Sequence, residues 1–305
     1  MKKKNLYERN LITYIQADSH GQNKLRVWLR YYANRFFMHN IYLKYIEIPI
    51  TTKCTLNCKE CCNLIQYYQA PYHISANDII RDVRNLSSVA KGILQLRLLG
   101  GEPFLHPNLA RIVRRILKFD NIKSIQIATN GTLLLDENML KLLRGNKRVS
   151  IDISNYEEMS VNRVKLIEQL ETNHINYFTQ KERRFWTAQA DFSYRNRTEG
   201  QLKTVLSRCS MDCISMLNGK IHLCPRSSHG MDLGIIPDQF TDYCDLRKNK
   251  TIKECRKKLY ELLNATSISA CNYCDVFQWQ KLPEVIAAEQ ISKKDTKVIL
   301  EKFLS

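Results

Sequence analysis

The sequence predicts an α/β protein whose parallel strands curl into a barrel. Two observations carry this. Between about residues 45 and 180, short apolar runs alternate with amphipathic helical segments. Repeated βα units of that length imply parallel strands joined by right-handed crossovers. Four polar or cysteine-bearing motifs then fall at the C-terminal ends of successive strands. That is the face on which barrel enzymes build their sites.

The elements follow in order. Residues 45–50 form a buried strand, followed by Cys54, Cys58 and Cys61. Residues 76–90 read as a helix with Ser75 at the N-cap and Asp78 three residues on. Residues 94–99 are a strand that runs into Gly100-Gly101-Glu102-Pro103. Residues 107–118 make a helix with proline near its start. The strand at 122–129 ends in Asn130-Gly131, and the one at 148–153 ends at Asp152 and Ser154. Helices at 136–143 and 160–172 and a short strand at 175–178 complete the series. Residues 181–208 look polar and irregular, with Lys181, Arg183, Arg184, Arg195 and Arg197 among Phe185, Trp186, Phe192 and Tyr194. This segment is expected to cross the barrel mouth and touch substrate or link domains. Residues 213–224 read as a hairpin about Asn218-Gly219, the preferred two-residue turn. Counting outward places Leu217 opposite Lys220 and Cys213 opposite Cys224, close enough for two sulfurs to share one metal centre.

Ahead of the first strand, Leu25, Trp28, Leu29, Tyr32 and Phe36 share one helical face. Either that face packs on the main domain, or it lies on anionic lipid, given the aromatic residues beside arginine. Boundaries follow: a basic, aromatic segment over 1–44, a barrel over 45–205, a cysteine-rich unit over 206–280 and a helical tail over 281–305.

The 305 residues carry a net charge of +17 and a sequence pI near 9.4. That charge favours an anionic partner or substrate, without choosing among phosphate-bearing molecules, a lipid surface and acidic electron donors. No apolar run reaches membrane-spanning length, and no secretory h-region follows the first residues, so a cytoplasmic location is expected. Eleven cysteines in such a chain point to metal ligation rather than disulfides. A zinc-dependent nucleic-acid binder would leave Gly-Gly-Glu-Pro without a role, so no nucleic acid is expected.

Cys54, Cys58 and Cys61 supply three soft thiolates from one loop. A four-iron cubane needs four ligands, so one iron stays open to a small molecule. A zinc site would need a fourth ligand, and Cys62, adjoining Cys61, points elsewhere. The pairing of this triad with Gly-Gly-Glu-Pro resembles the radical S-adenosylmethionine (SAM) superfamily. The resemblance implies a partial (β/α)6 TIM-like barrel and an open iron chelated by the methionine end of SAM. It implies that Gly100, Gly101 and Glu102 receive the SAM amino group. Asn130, Asp152 and Ser154 fall where the family contacts the ribose or the methionine carboxylate. Asn130 also reads as a plain turn residue. The family often has an aromatic residue just before the third cysteine. Here that residue is Glu60, so adenine packing is expected from Tyr67 or Tyr68.

The later cysteines Cys209, Cys213, Cys224, Cys271 and Cys274 resemble Twitch, the shorter relative of the SPASM domain. That implies a small C-terminal hairpin and helix extension with an auxiliary four-iron cluster held by four of the five. The family spacing to Gly219 favours Cys209, whereas the hairpin register favours Cys213. A four-cysteine zinc knuckle is the alternative. The implied cofactors are SAM and two [4Fe-4S] clusters, with a flavodoxin or ferredoxin as low-potential electron donor. The expected reaction is radical dehydrogenation of a small molecule such as a sugar, an aminocyclitol or a nucleotide- or lipid-linked glycan precursor. A peptide-modifying maturase or a radical epimerase are the alternatives. The epimerase needs a hydrogen donor, for which Cys62, Cys244 and Cys255 are spare. His106 reads as structural.

Overall fold

The structure, a computed structural model, describes residues 5–19, 23–179, 185–189, 191–209, 213–248 and 251–304. Lys181, Arg183 and Arg184 of the basic segment lie outside them. Helices α1 (Leu6–Asp18) and α2 (Lys24–Ala33) precede β1 (Ile41–Thr51). There follow α3 (Ala76–Val89), β2 (Ala90–Gly100), α4 (Leu109–Ile116), β3 (Ile122–Thr129), α5 (Glu137–Leu143), β4 (Val149–Ile153), α6 (Arg163–Thr172) and β5 (Tyr177–Thr179). Next come β6 (Phe185–Thr187), α7 (Glu199–Arg208), β7 (Ser215–Leu217), β8 (Lys220–His222), α8 (Pro225–Asp232) and β9 (Tyr243–Asp245). The chain closes with α9 (Ile252–Leu263), β10 (Glu284–Ile286) and α10 (Lys293–Leu304).

The expected βα units are present, and β1 and β2 are longer than their apolar runs suggested. Asp136 caps α5 by accepting from the Met139 N–H at 2.8 Å. Ser75 occupies the N-cap of α3 without a side-chain hydrogen bond.

Among the described residues the main sheet runs β5-β4-β3-β2-β1-β7-β8-β9. β1 to β5 are parallel, with right-handed βα crossovers expected between them. This is the α/β partial TIM-like barrel that the sequence implies. Its sixth parallel strand is not a further βα unit after β5. It is β7, which joins the other edge of β1 through Glu47 and Ser215. β8 and β9 continue antiparallel from there.

Alternation along the strands sets two faces. Ile46, Ile48, Leu96, Leu98, Ile125, Ile127 and Ile151 are buried, in one apolar core with Val83 and Leu86 of α3 and Ile112 of α4. The opposite face carries Tyr45 and Glu47 on β1, Gln95 and Arg97 on β2, Gln126 on β3 and Asp152 on β4. Paired positions Glu47, Arg97 and Gln126 stand side by side. The barrel lumen is therefore lined with polar side chains rather than filled with aliphatic ones.

Three expectations are revised. Residues 199–208 are helical, where an irregular segment was expected; Thr198 and Gln201 close a capping box at its start. The 213–224 hairpin turns at Asn218 (φ 51°) and Gly219 (φ 81°) as expected, and Leu217 pairs with Lys220. Its ladder, however, ends at Ser215 and His222. The Ile214 carbonyl accepts from the Glu47 N–H at 2.8 Å, so the chain leaves the hairpin to follow β1 and Cys213 does not oppose Cys224. Finally, the Leu25, Trp28 and Leu29 face of α2 is exposed, while Val27 and Tyr31 pack on the core. Among the described residues no helix is long and apolar enough to cross a membrane.

Candidate active site

The loop after β1 carries Cys54, Cys58 and Cys61 at the C-terminal end of the strands. The segment after β2 holds it in place. The Gly101 N–H donates to the Thr51 carbonyl and the Glu102 N–H to the Lys53 carbonyl, each at 2.8 Å. A Cβ on Gly101 would lie 2.1 Å from the Lys53 oxygen. One on Gly100, at φ +144°, would lie 2.1 Å from the Thr51 oxygen. Two glycines are thus required so that the cysteine loop can lie directly on the end of β2.

A second brace comes from the other end of the chain. Gln290 forms an isolated β-bridge with Cys58. The Lys59 N–H donates to the Glu289 carbonyl at 2.8 Å, and the Ile291 N–H to the Asn57 carbonyl at 2.9 Å. The sulfurs collect N–H donors: Leu56 N and Asn130 Nδ2 on Cys54, at 3.5 and 3.6 Å, and Gln290 Nε2 on Cys58 at 3.6 Å. Burial, with Cys61 nearby, pushes the Cys54 and Cys58 thiols up to about 12. Such thiols stay protonated at neutral pH until a metal displaces the proton. Among the described residues no three cysteine, histidine or carboxylate side chains are gathered closely enough to hold one metal ion as they stand. What the loop supplies is three soft thiols at one strand end, with N–H donors on the sulfurs, a donor set that suits an iron–sulfur cluster.

Glu102 is fully buried and both carboxylate oxygens are in use. One accepts from the Phe104 N–H at 3.1 Å, the other from Thr129 Oγ1 at 3.0 Å and the Asn130 N–H at 2.9 Å. Burial raises its pKa to about 7. The carboxylate ties the end of β2 to the end of β3. Asn130 donates to Thr55 Oγ1 at 3.0 Å and accepts from the Thr132 N–H at 3.0 Å. It links the Asn-Gly turn to the cysteine loop, so its turn role and its place at the site coincide.

Asp152 accepts from Arg97 Nη2 at 2.5 Å. Arg97 Nη1 donates to Tyr45 Oη at 3.0 Å, and Tyr45 donates to Glu47 Oε1 at 2.6 Å. Burial raises the Glu47 carboxyl above its ordinary range. This four-residue network spans β1, β2 and β4 across the lumen. Cys62 is exposed on the same loop; burial, then Cys61, Glu47 and Cys213, hold its thiol well up. Ser154 hydrogen-bonds Tyr156, whose hydroxyl is pushed up to about 12 by burial beside Cys62, Cys58 and Cys61. The Tyr156 ring meets Trp186 edge-on at 5.3 Å. Sequence reading missed Tyr156; an aromatic residue two positions past Ser154 was the available signal. Tyr67 is instead buried edge-on against Phe303. Tyr68 gives its hydroxyl to Asp232 at 2.8 Å, with His229 Nδ1 at 2.9 Å. His106 is structural: it is buried, with Nε2 on the Ile74 carbonyl and Nδ1 accepting from the Asn108 N–H.

Four of the five later cysteines line one hollow. Cys209, Cys224, Cys271 and Cys274 line one cavity of about 40 Å³, walled by Leu206, Leu223, Ile268, Val276 and Phe277. Cys213 does not line it and lies by Cys62. Burial, then Cys274, pushes the Cys224 thiol up to about 12. Arginines brace the Cys271–Cys274 loop. Arg197 Nη1 donates to the Cys271 carbonyl at 2.5 Å and the Cys274 carbonyl at 2.8 Å, and Arg195 Nη2 pairs with Asp275 at 2.7 Å. Buried Arg226 donates to the Tyr273 carbonyl at 3.1 Å and stacks on Phe192 at 3.7 Å. The basic and aromatic segment expected at the barrel mouth thus clamps this loop. The Val276 N–H reaches the Cys274 sulfur at 3.4 Å. Four thiols facing an apolar hollow suit a second cluster.

Residues 48–170, from β1 into α6, match the family described as the radical SAM superfamily. Over 135 residues the chain is 32% identical to the GTP 3',8-cyclase of Clostridium acetobutylicum, covering 43% of this chain and 41% of that one. It is 32% identical over 119 residues to the GTP 3',8-cyclase of Aquifex aeolicus, covering 36% and 35%. The chain therefore spans about two fifths or less of these curated relatives. Among solved structures, anSMEcpe with bound AdoMet aligns at a TM-score of 0.48 and 12% identity, covering 75% of this chain and 82% of that one. BtrN in complex with AdoMet and 2-DOIA aligns at 0.42 and 15% identity, covering 77% and 94%.

Proposed function

We propose that this chain has a radical SAM domain, which serves an oxidation of a small, hydroxyl-rich molecule held in the barrel lumen. The observation that carries this is the network of Tyr45, Glu47, Arg97 and Asp152 on the lumen wall beside the cysteine loop. It offers many hydrogen-bonding groups at fixed positions, as a polyol such as a sugar or aminocyclitol requires. Arg97 is already committed to Asp152 and Tyr45, so the lumen holds two carboxyl groups against one guanidinium. That balance favours a neutral or amine-bearing substrate over a strongly anionic one. The +17 net charge then serves partners at the surface, foremost an acidic flavodoxin or ferredoxin.

On this reading Cys54, Cys58 and Cys61 hold the SAM-binding four-iron cluster. When bound, that cluster and SAM supply the 5'-deoxyadenosyl radical that abstracts a substrate hydrogen atom. The backbone of Gly100 and Gly101, with Asn130 and Ser154, borders the SAM site. Glu102 orders that border from beneath. Asp152 faces substrate, held in position by Arg97. Tyr156 takes the place expected of Tyr67 or Tyr68 beside adenine. Cys209, Cys224, Cys271 and Cys274 hold the auxiliary cluster, which suits a two-electron oxidation because it can take the second electron. Residues 45–205 then form the catalytic barrel and 206–280 the auxiliary unit.

One second reading has an observation behind it. Cys62 is exposed on the loop beside Cys61, whereas Cys244 and Cys255 are buried in the core. Cys62 is therefore the thiol placed to return a hydrogen atom, as an epimerase requires. Reductive SAM cleavage with deuterated sugars and aminocyclitols tests both. Deuterium in 5'-deoxyadenosine with an oxidised product supports the lead. Solvent deuterium in a product of unchanged mass class, lost in Cys62→Ala, supports epimerisation. No transfer from any polyol, with transfer from a purine nucleotide or a peptide, would reject both.

A further inference from the structure

The N-terminal part of the chain presents an apolar surface that the rest of the molecule leaves uncovered. Leu25, Trp28, Leu29, Phe36 and Met38 are each more than half exposed, and Phe37 is 83% exposed. Large side chains grouped this way mark an interaction surface rather than scattered exposure. The group is held in place. Val27 and Tyr31, on the other side of α2, pack on the core. Tyr32 lies on Trp28 at 4.3 Å and stacks with Phe36 at 5.8 Å. The π-turn at Asn34–Met38 is pinned by buried Asn34, whose amide donates to Tyr7 Oη at 2.9 Å and to the Asn40 carbonyl at 3.1 Å. Phe36, Phe37 and Met38 thus project from a fixed backbone.

Within the segment itself the charge has one sign. Between residues 19 and 46 the sequence has Lys24, Arg26, Arg30, Arg35 and Lys44 and no aspartate or glutamate. The neighbouring acids are Asp18, paired with Arg30 and Lys123, and Glu8, paired with Arg35. Lys24 and Arg26 are exposed at the rim. A second copy seated on this face would set the same positive rim against itself. An anionic bilayer meets both needs: acyl chains and the headgroup boundary take Trp28, Phe36 and Phe37, while anionic headgroups take the cations.

We infer that α2 and the following π-turn form a platform that lies on an anionic lipid surface. Its place in the barrel fixes the orientation. The turn bonds to Asn40, immediately before β1, whereas the cysteine loop follows the other end of that 11-residue strand. At about 3.3 Å per residue the two ends of β1 are about 35 Å apart. The platform therefore lies at the N-terminal end of the strands, and the site faces away from the bilayer. The enzyme would be tethered to the membrane yet take its substrate and electron donor from the aqueous side. This inference is independent of the substrate reading.

Full-length protein, purified anaerobically, is sedimented with phosphatidylcholine vesicles prepared with and without phosphatidylglycerol. The expected result is at least about tenfold tighter binding to the anionic vesicles, reduced by high salt. Trp28→Glu combined with Phe37→Glu should reduce binding by at least about tenfold, while melting temperature and SAM cleavage stay as in the parent. Lys24→Glu with Arg26→Glu should remove most of the salt-sensitive part. Absence of binding, equal binding to neutral vesicles, or binding that survives the Trp28 and Phe37 changes would overturn the inference. So would a concentration-dependent dimer in sedimentation equilibrium that the same changes dissolve, because the surface would then belong to a second copy.

Discussion

Gln290 donates its side-chain amide to the sulfur of Cys58 at 3.6 Å, across 232 residues of sequence. The same amide also reaches the Ala288 carbonyl, and its oxygen accepts from the Asn57 N–H at 2.7 Å. N–H donors on cysteine sulfur stabilise the electron-rich, reduced form of an iron–sulfur cluster. Gln290→Ala should therefore lower the reduction potential of the reconstituted first cluster and slow SAM cleavage. Redox titration followed by electron paramagnetic resonance reads the potential. An unchanged potential would reduce Gln290 to a loop brace.

The later cysteines give a sharper contrast. Cys209→Ala should remove close to half of the bound iron after reconstitution, because Cys209 lines the cavity with Cys224, Cys271 and Cys274. Cys213→Ala should retain it. Iron and sulfide analysis of the two variants separates them, and equal loss in both would return the choice to the hairpin register.

Glu102 is the expected pivot of the strand ends. Glu102→Gln places an amide N–H against the Phe104 or the Asn130 N–H, leaving a buried donor unmatched at a cost of about 1–3 kcal/mol. The pH dependence has a definite sign. A carboxyl raised to about 7 in the folded chain contributes stability at low pH that is lost as pH rises toward 7. The parent should therefore lose stability relative to the variant between about pH 4.5 and 7, by at most about 1.4 kcal/mol per pH unit. Urea titrations at several pH values give the difference directly, and a constant gap would contradict the raised value.

Two histidines act in the opposite sense. Burial lowers His222 to about 3, with Lys220 adding to it, and lowers His229 to about 4. Below about pH 6.5 the unfolded chain takes up protons that these buried rings refuse. Stability from this pair is therefore full above that pH and falls as pH drops toward 4. His229→Gln should flatten the acid limb of the stability curve by up to about 1.4 kcal/mol per pH unit. A slope equal to that of the parent would mean that His229 protonates freely in the folded state.

The barrel was legible in the sequence because its signals are local. Apolar runs, a proline near the start of α4 and motifs at strand ends each lie within a few residues. The cysteine triad, Asn218-Gly219 and the Cys271–Cys274 spacing were legible for the same reason. Long-range relations were not. Nothing in the alternation of β1 announces that its free edge is taken by β7, which is why the hairpin register pointed to Cys213. Arg195 and Arg197 look like a solvated or ligand-binding run until Asn272 and Asp275 are brought beside them. The lumen network was hidden in plain alternation: Tyr45, Glu47 and Arg97 occupy ordinary every-other-residue positions, and only the register aligns them. The apolar stripe of α2 was read correctly as a stripe, but its spacing is the same whether it meets a core or stays uncovered.

The pairing of β7 with β1 governs how the polypeptide reaches its native state. Ser215 and Glu47 stand side by side but are separated by most of the barrel's length of chain. While the ribosome is still producing the intervening segment, one border of the nascent sheet keeps a row of unmet amide and carbonyl groups, the kind of border that invites sticking between chains. Completion must wait for the residues around Ser215 to emerge, so closing that border is a late, non-local step.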